Sequence, residues 1–236
     1  MKSRCRIVPC LFVLVVLAGC ASTKVTNQEI YVTEKIARPD HIFVYDFAAT
    51  PADVPASSVL AGRYSDSRTS QTSEEIATGR RLGAQIAAQL VERIRGMGLP
   101  AERGSVETRL QINDLVIRGY LVSVEEGSQG ERVAIGFRAG VSELKTAVDG
   151  YQMTAQGLCK LASGTVKSSG GKTPGAAVPL AVMLATENPV GLIVSGTMKI
   201  GGEVSGRSKI EERANQTAKE IAQRLKKRFE QLGWIK

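Results

Sequence analysis

The chain holds 236 residues, 31 basic against 23 acidic side chains for a formal charge of +8, and only 5% aromatic residues. That length supports one ordinary domain with its own core. The low aromatic content argues against a groove that stacks sugars or bases, and a single histidine, His41, leaves hydrolytic triads and zinc sites short of a partner.

Residues 1–6 carry Lys2, Arg4 and Arg6 without an acid, residues 7–18 form an almost unbroken apolar run, and Leu17-Ala18-Gly19-Cys20 follows. A run of a dozen residues is too short to span a bilayer, which takes about 20. An ordinary secretory signal is the plain alternative, but its cleavage site carries a small residue where this chain has cysteine. The order resembles the bacterial lipoprotein signal. That resemblance implies cleavage between Gly19 and Cys20, a diacylglycerol on the Cys20 sulfur, and further acylation of the palmitate type. Each buried methylene contributes about 0.8 kcal/mol, so two or three chains make release negligible. Ala21 resembles the outer-membrane sorting choice, because aspartate there is the usual retention signal.

Removing 1–19 takes away Lys2, Arg4 and Arg6 and lowers the balance from +8 to +5. That is basic without the clustered excess of a nucleic-acid binder. Cys5 and Cys10 leave with the signal and Cys20 is consumed by lipid, so Cys159 has no partner for an intramolecular disulfide. Residues 20–38 are polar and non-periodic, and read as a lipidated cysteine followed by a flexible tether with an r.m.s. span of roughly 25 Å. The domain proper is then 39–236.

Residues 41–47 are apolar on both faces and predict an interior strand. The stretch 48–73, with Pro51 and Pro55, reads as a long loop. Thr72 with Glu75 forms a capping box. Ile76, Gly79, Gly83, Ile86, Leu90, Ile94 and Met97 then mark a helix that stops at Gly96 and Gly98. Gly79 and Gly83 each cost about 1 kcal/mol of propensity, which points to close approach of the helix to a sheet.

Three strand-like runs follow: Leu110 through Ile117, Val133 through Phe137, and Tyr151 through Leu161. The last turns Cys159 inward as a small buried hydrophobe. Residues 163–173 read as a loop. Their Gly171-Lys172-Thr173 fails as a phosphate loop because the required first glycine falls on Val166, so no nucleotide is expected. The stretch 174–200 is the most apolar of the mature chain. It reads either as a buried hairpin or as a surface for the bilayer, an envelope partner or self-association. Finally, Ser208 and Glu211 suggest a second capping box. Ile210, Ala214, Thr217, Ala218, Ile221, Leu225, Phe229 and Leu232 mark a second helix, basic at its end through Arg224, Lys226, Lys227 and Arg228. Gly233 stops it, and Trp234-Ile235 is placed to fold back.

The fold class expected is α/β (α+β): a single domain whose mainly antiparallel sheet is flanked by two or more amphipathic helices. Asp46 in an apolar strand and Asp53 between prolines are the unusual acids. They act either as a carboxylate pair or, more simply, as acceptors for backbone N–H groups. Arg80 and Arg81 lie where they can pair with either. His41 reads as a strand-end side chain.

Tyr45-Asp46-Phe47, Pro51-Ala52-Asp53-Val54-Pro55, Asn188-Pro189-Val190-Gly191-Leu192-Ile193 and Gly233-Trp234-Ile235 together resemble the domain of unknown function 4410 family of bacterial lipoproteins, over residues 38 to 236. That family has no established activity, so the resemblance implies no catalytic residue, metal or cofactor. The expectation is a non-enzymatic, outer-membrane-anchored interaction module on the periplasmic side. A self-associating ring or pore and an envelope hydrolase using Asp46 and Asp53 are the alternatives. No nucleic-acid partner is expected.

Overall fold

The computed structural model describes residues 22–30, 36–54, 72–125, 142–169, 198–199 and 204–236. The signal segment, Cys20, the run from Val133 to Phe137 and the stretch 174–197 lie outside the described residues.

Leu115–Glu125 carries large side chains on both faces, the mark of an interior strand, and this strand, β4, is the axis of the sheet. Leu115, Ile117, Leu121 and Val124 join the main core, while Val116, Arg118, Tyr120 and Val122 are buried on the opposite face. The other strands are β1 (Ser22–Ile30), β2 (Ile42–Val44), β3 (Ala101–Arg103), β5 (Glu143–Thr154), β6 (Gly157–Ser169) and β7 (Met198–Lys199). The sheet order is β1-β6-β5-β4-β2-β3, with β7 also on β4. Its long ladders, β1–β6, β6–β5 and β5–β4, are antiparallel as expected. The short strands β2, β3 and β7 add parallel pairs and make the sheet mixed. Two helices, α1 (Ser73–Arg95) and α2 (Val204–Gln231), cover one face of the sheet.

β2 is interior as expected but shorter than 41–47: Ile42, Phe43 and Val44 are all buried, the strand lies between β3 and β4, and Asp46 falls just after it and not within it. α1 begins as its capping box dictates, with the Glu75 N–H donating to Thr72 Oγ1 at 3.2 Å and the Thr72 N–H to Glu75 Oε2 at 2.7 Å. It stops at Gly96, and Gly98 turns the chain at φ +80°. The close approach signalled by Gly83 centres on Phe47, whose N–H donates to Gly83 O at 3.3 Å. A Cβ on Gly83 would stand 2.1 Å from Phe47 O, and one on Gly119 of β4 would stand 2.2 Å from the Phe47 ring. Two missing side chains therefore make the slot that seats a 1% exposed phenylalanine.

Several expectations are corrected. The tether reading fails over Ser22–Ile30, which is the edge strand β1. Its residues are mostly polar, with Val25 and Ile30 the exceptions, and what orders it is backbone pairing to β6, which no local pattern announces. The first of the three runs starts only at Leu115. Asn113 adopts φ +80°, and Ile112 is left 66% exposed in the turn before it. The run from Tyr151 to Leu161 is a hairpin, because a turn at Ala155-Gln156 closes into Gly157 at φ +109°. A bulge at Gly150/Tyr151 shifts the register, and Cys159 is exposed rather than inward. β6 continues to Ser169, where a loop was expected, because β1 and β5 pair with it on both edges.

α2 starts at Val204, so Ser208 lies inside the helix and is not its cap. The rest of that helix is as read. Ile210, Ala214, Thr217 and Ala218 are fully buried, and Arg224 Nε lies 3.1 Å from Glu220 Oε1. Gly233 sits at φ +73°, and the 6% exposed Trp234 folds back onto Phe229 with ring centroids 5.1 Å apart. The Trp234 indole N–H donates to Ile36 O at 3.1 Å, which ties the end of the chain to the segment after β1.

Candidate functional site

Asp46 and Asp53 are engaged by different arginines on different elements. Asp46 pairs with Arg103 of β3. Asp53 ends a 3-10 turn over Pro51–Asp53 and accepts from Thr50 N–H at 2.9 Å, Thr50 Oγ1 at 2.9 Å and Ala49 N–H at 3.3 Å. Arg80 of α1 adds Nε at 2.8 Å and an Nη at 2.7 Å from Asp53 Oδ1. Partial burial works to raise the Asp53 pKa. The hydrogen bonds from Arg80 and Thr50 and the Arg80 charge outweigh it and hold the carboxyl below its ordinary value. The Asp53–Arg80 pair thus pins the loop after β2 to the first turns of α1. Arg81 reaches neither acid. It lies one residue round the helix and pairs with Glu211 of α2.

His41, half exposed at the start of β2, places Nδ1 3.5 Å from Oδ1 of the 1% exposed Asp114. Asp114 Oδ2 accepts from the Gln111 N–H at 2.7 Å, so the carboxylate shapes the turn that launches β4. Among the described residues no cluster of three or more His, Cys, Asp or Glu side chains could hold a metal.

The least expected chemistry is on the sheet face away from the helices. Register sets Arg118 of β4 opposite Asp149 of β5, and Tyr151 opposite Lys160 of β6. Asp149 is 5%, Arg118 6% and Tyr151 6% exposed. The Tyr151 hydroxyl donates to Asp149 Oδ2 at 3.1 Å, and Lys160 Nζ stands 3.1 Å from Asp149 Oδ1. The Arg118 guanidinium lies 5.4 Å from the centre of the Tyr45 ring and 5.8 Å from that of Tyr151. Burial pushes the Tyr151 phenol well up, and the charge of Asp149 adds to it. At physiological pH that phenol is a hydrogen-bond donor and not a base. The cluster is a polar lock between three strands, with Asp149 paired to Lys160 and the arginine set against two aromatic rings. Sequence reasoning missed it. The available signal was a lone arginine in the apolar run Leu115-Val116-Ile117-Arg118 and an aspartate after Val148, but their pairing needs the β4–β5 register.

Among the described residues no helix is long and apolar enough to cross a membrane. A search of curated proteins gave no match. Among solved structures, the PelC dodecamer from Paraburkholderia phytofirmans aligns at 12% identity and a TM-score of 0.36, covering 63% of this chain and 82% of that one. A protein of Caulobacter crescentus CB15, provisionally classed as a lipoprotein, aligns at 21% identity and a TM-score of 0.24, covering 61% and 80%. At such scores neither alignment transfers function or assembly to this chain. The match to a family model is of a different kind, since it spans residues 42–186, from β2 through β6 and beyond. The chain belongs to the family described as Domain of unknown function (DUF4410).

Proposed function

We propose that this protein is a lipid-anchored, non-catalytic interaction module of a bacterial envelope or secretion assembly, held on the periplasmic face of the outer membrane through acyl chains on Cys20. The observation that carries the reading is Leu17-Ala18-Gly19-Cys20 behind a basic and apolar leader. The start of β1 at Ser22 supports it, because a single residue then separates the lipid from the edge of the sheet and the domain sits close to the headgroups. The non-catalytic half rests on Asp46 and Asp53, both committed to arginines that hold the fold.

Cys20→Ser is expected to abolish incorporation of labelled palmitate and to move the folded protein out of the membrane fraction after a high-salt wash. A Cys20→Ser protein that stays in that fraction at the wild-type level sinks the anchor. Asp46→Asn with Asp53→Asn is expected to lower stability while leaving every crosslinked envelope partner in place. A hydrolytic activity lost in that variant without loss of stability refutes the non-catalytic reading.

A further inference from the structure

At the end of the domain where α1 stops and α2 nears its last turn, a cavity of about 640 Å³ is lined by Arg38, Arg93, Lys219, Lys226 and Lys236 around Trp234. Among the described residues no aspartate or glutamate lines it. Five cations converging on one cavity repel one another, and the few acceptors nearby answer only part of that charge. Arg38 donates to Gly98 O at 3.1 Å, the carbonyl of the left-handed glycine in the turn after α1. Arg93 donates through one Nη to Asn215 Oδ1 at 3.0 Å, while its buried Nε has no hydrogen-bond partner. Lys226 has a loose contact with Glu230 at 3.7 Å. Among the described residues Lys219 and Lys236 make no ion pair. The guanidinium of Arg93 and the ammonium groups of Lys219, Lys226 and Lys236 are thus collected around a volume in the range of small-molecule sites, and among the described residues Glu230, in its loose contact with Lys226, is the one acidic side chain paired with any of them.

The cavity lies at the opposite end of the sheet from the start of β1. Asn113 Nδ2 donates to Arg38 O at 2.9 Å, and the Asn113 N–H donates to Met153 O at 2.8 Å, which places Arg38 beside the last residues of β5. Ser22 pairs with Ser169, and Ser169 with Glu143, the first residue of β5. The length of β5, roughly 35 Å at 3.3 Å per residue, separates the two ends. That is several Debye lengths at physiological salt, so the charge of this groove and any charge near residue 22 act independently.

We infer that this cavity is a binding site for a small polyanion bearing phosphate or carboxylate groups, with Arg93, Lys219 and Lys226 as its charge contacts. The inference does not depend on acylation of Cys20.

The test uses the acylated full-length protein in detergent, titrated calorimetrically with tripolyphosphate and, separately, with trigalacturonate. The two probes distinguish a phosphate ligand from a carboxylate one. Saturable 1:1 binding of either is expected, weakening as salt rises from 50 to 200 mM. Lys219→Gln with Lys226→Gln should weaken it by about tenfold. Arg224→Gln with Lys227→Gln removes the same charge from the same helix outside the cavity, and should change affinity by less than about threefold. Equal loss in both variants overturns the site in favour of a diffuse basic surface, and absence of binding to both probes overturns it outright. Phosphatidylglycerol vesicles that retain the Lys219/Lys226 variant as well as wild type, while neither probe binds, would assign the charge to a membrane and also refute the proposal. Unchanged thermal midpoints in both variants ensure that the comparison reads binding and not folding.

Discussion

Replacing Gly83 with alanine sets two physical effects against each other with opposite signs. In a helix interior, alanine is favoured over glycine by about 1 kcal/mol, so helix propensity alone predicts a more stable protein. Packing predicts the reverse. The added methyl would lie 2.1 Å from Phe47 O and 3.0 Å from Phe47 C, and both atoms are backbone, so no rotamer change relieves the clash. Restoring ordinary contact requires α1 and the chain after β2 to separate by more than 1 Å, which breaks the Phe47 N–H to Gly83 O bond of 3.3 Å. Loss of that bond costs about 1 kcal/mol and overpacking a tight interior about 3 kcal/mol. After the propensity gain the net is a loss of about 3 kcal/mol, or roughly 6–12 °C in Tm for a domain of this size. Urea unfolding followed by far-UV circular dichroism measures it. Gly96→Ala is the control, since its Cβ would meet nothing nearer than 3.4 Å. A Gly83→Ala midpoint equal to or above wild type would refute the packing argument.

The other side of the same slot is tested by Gly119→Ala, which is expected to destabilise by about 2 kcal/mol. Most of that loss should disappear in a Phe47→Leu background, read as a coupling energy in a double-mutant cycle; strict additivity would contradict the shared slot. The lowered Asp53 pKa makes its contribution complete above the ordinary aspartate value of 3.8 and lost as pH falls through the lower folded value. Wild type should therefore lose more stability than Asp53→Asn when the pH of a urea titration is stepped from 5 to 2, and parallel curves would count against the Asp53–Arg80 clasp. Trp234→Ala, which removes the Phe229 stacking and the bond to Ile36 O, should cost about 3–5 kcal/mol; a loss below 1 kcal/mol in denaturant titration would mean that the fold-back is ornamental. Cys159, exposed on β6, should react with a water-soluble maleimide in native buffer as fast as in denaturant, and protection until unfolding would restore an inward register.

Local chemistry made much of this protein legible in its residues. The Thr72–Glu75 box, the 3.6-residue stripes of both helices, the interior strand expected at 41–47, of which Ile42–Val44 forms, and the fold-back after Gly233 all depend on neighbours within a turn or two, so the one-dimensional pattern carries them. The glycine at 83 even signalled a close approach, though not that Phe47 was the partner. What the pattern could not decide was anything set by register between distant segments. Ser22–Ile30 is a strand because β6 offers its edge. Cys159 faces out because a turn at 155–156 and a bulge at 150 reset the alternation. Arg80 and Arg81 are adjacent in sequence, yet one clasps the loop after β2 and the other clasps α2, since successive residues on a helix point about 100° apart. The Arg118–Asp149–Tyr151–Lys160 lock and the cationic cavity arise in the same way. Their members are scattered along the sequence and meet only where strand pairing and helix packing bring them, so tertiary structure alone determined what this surface can hold.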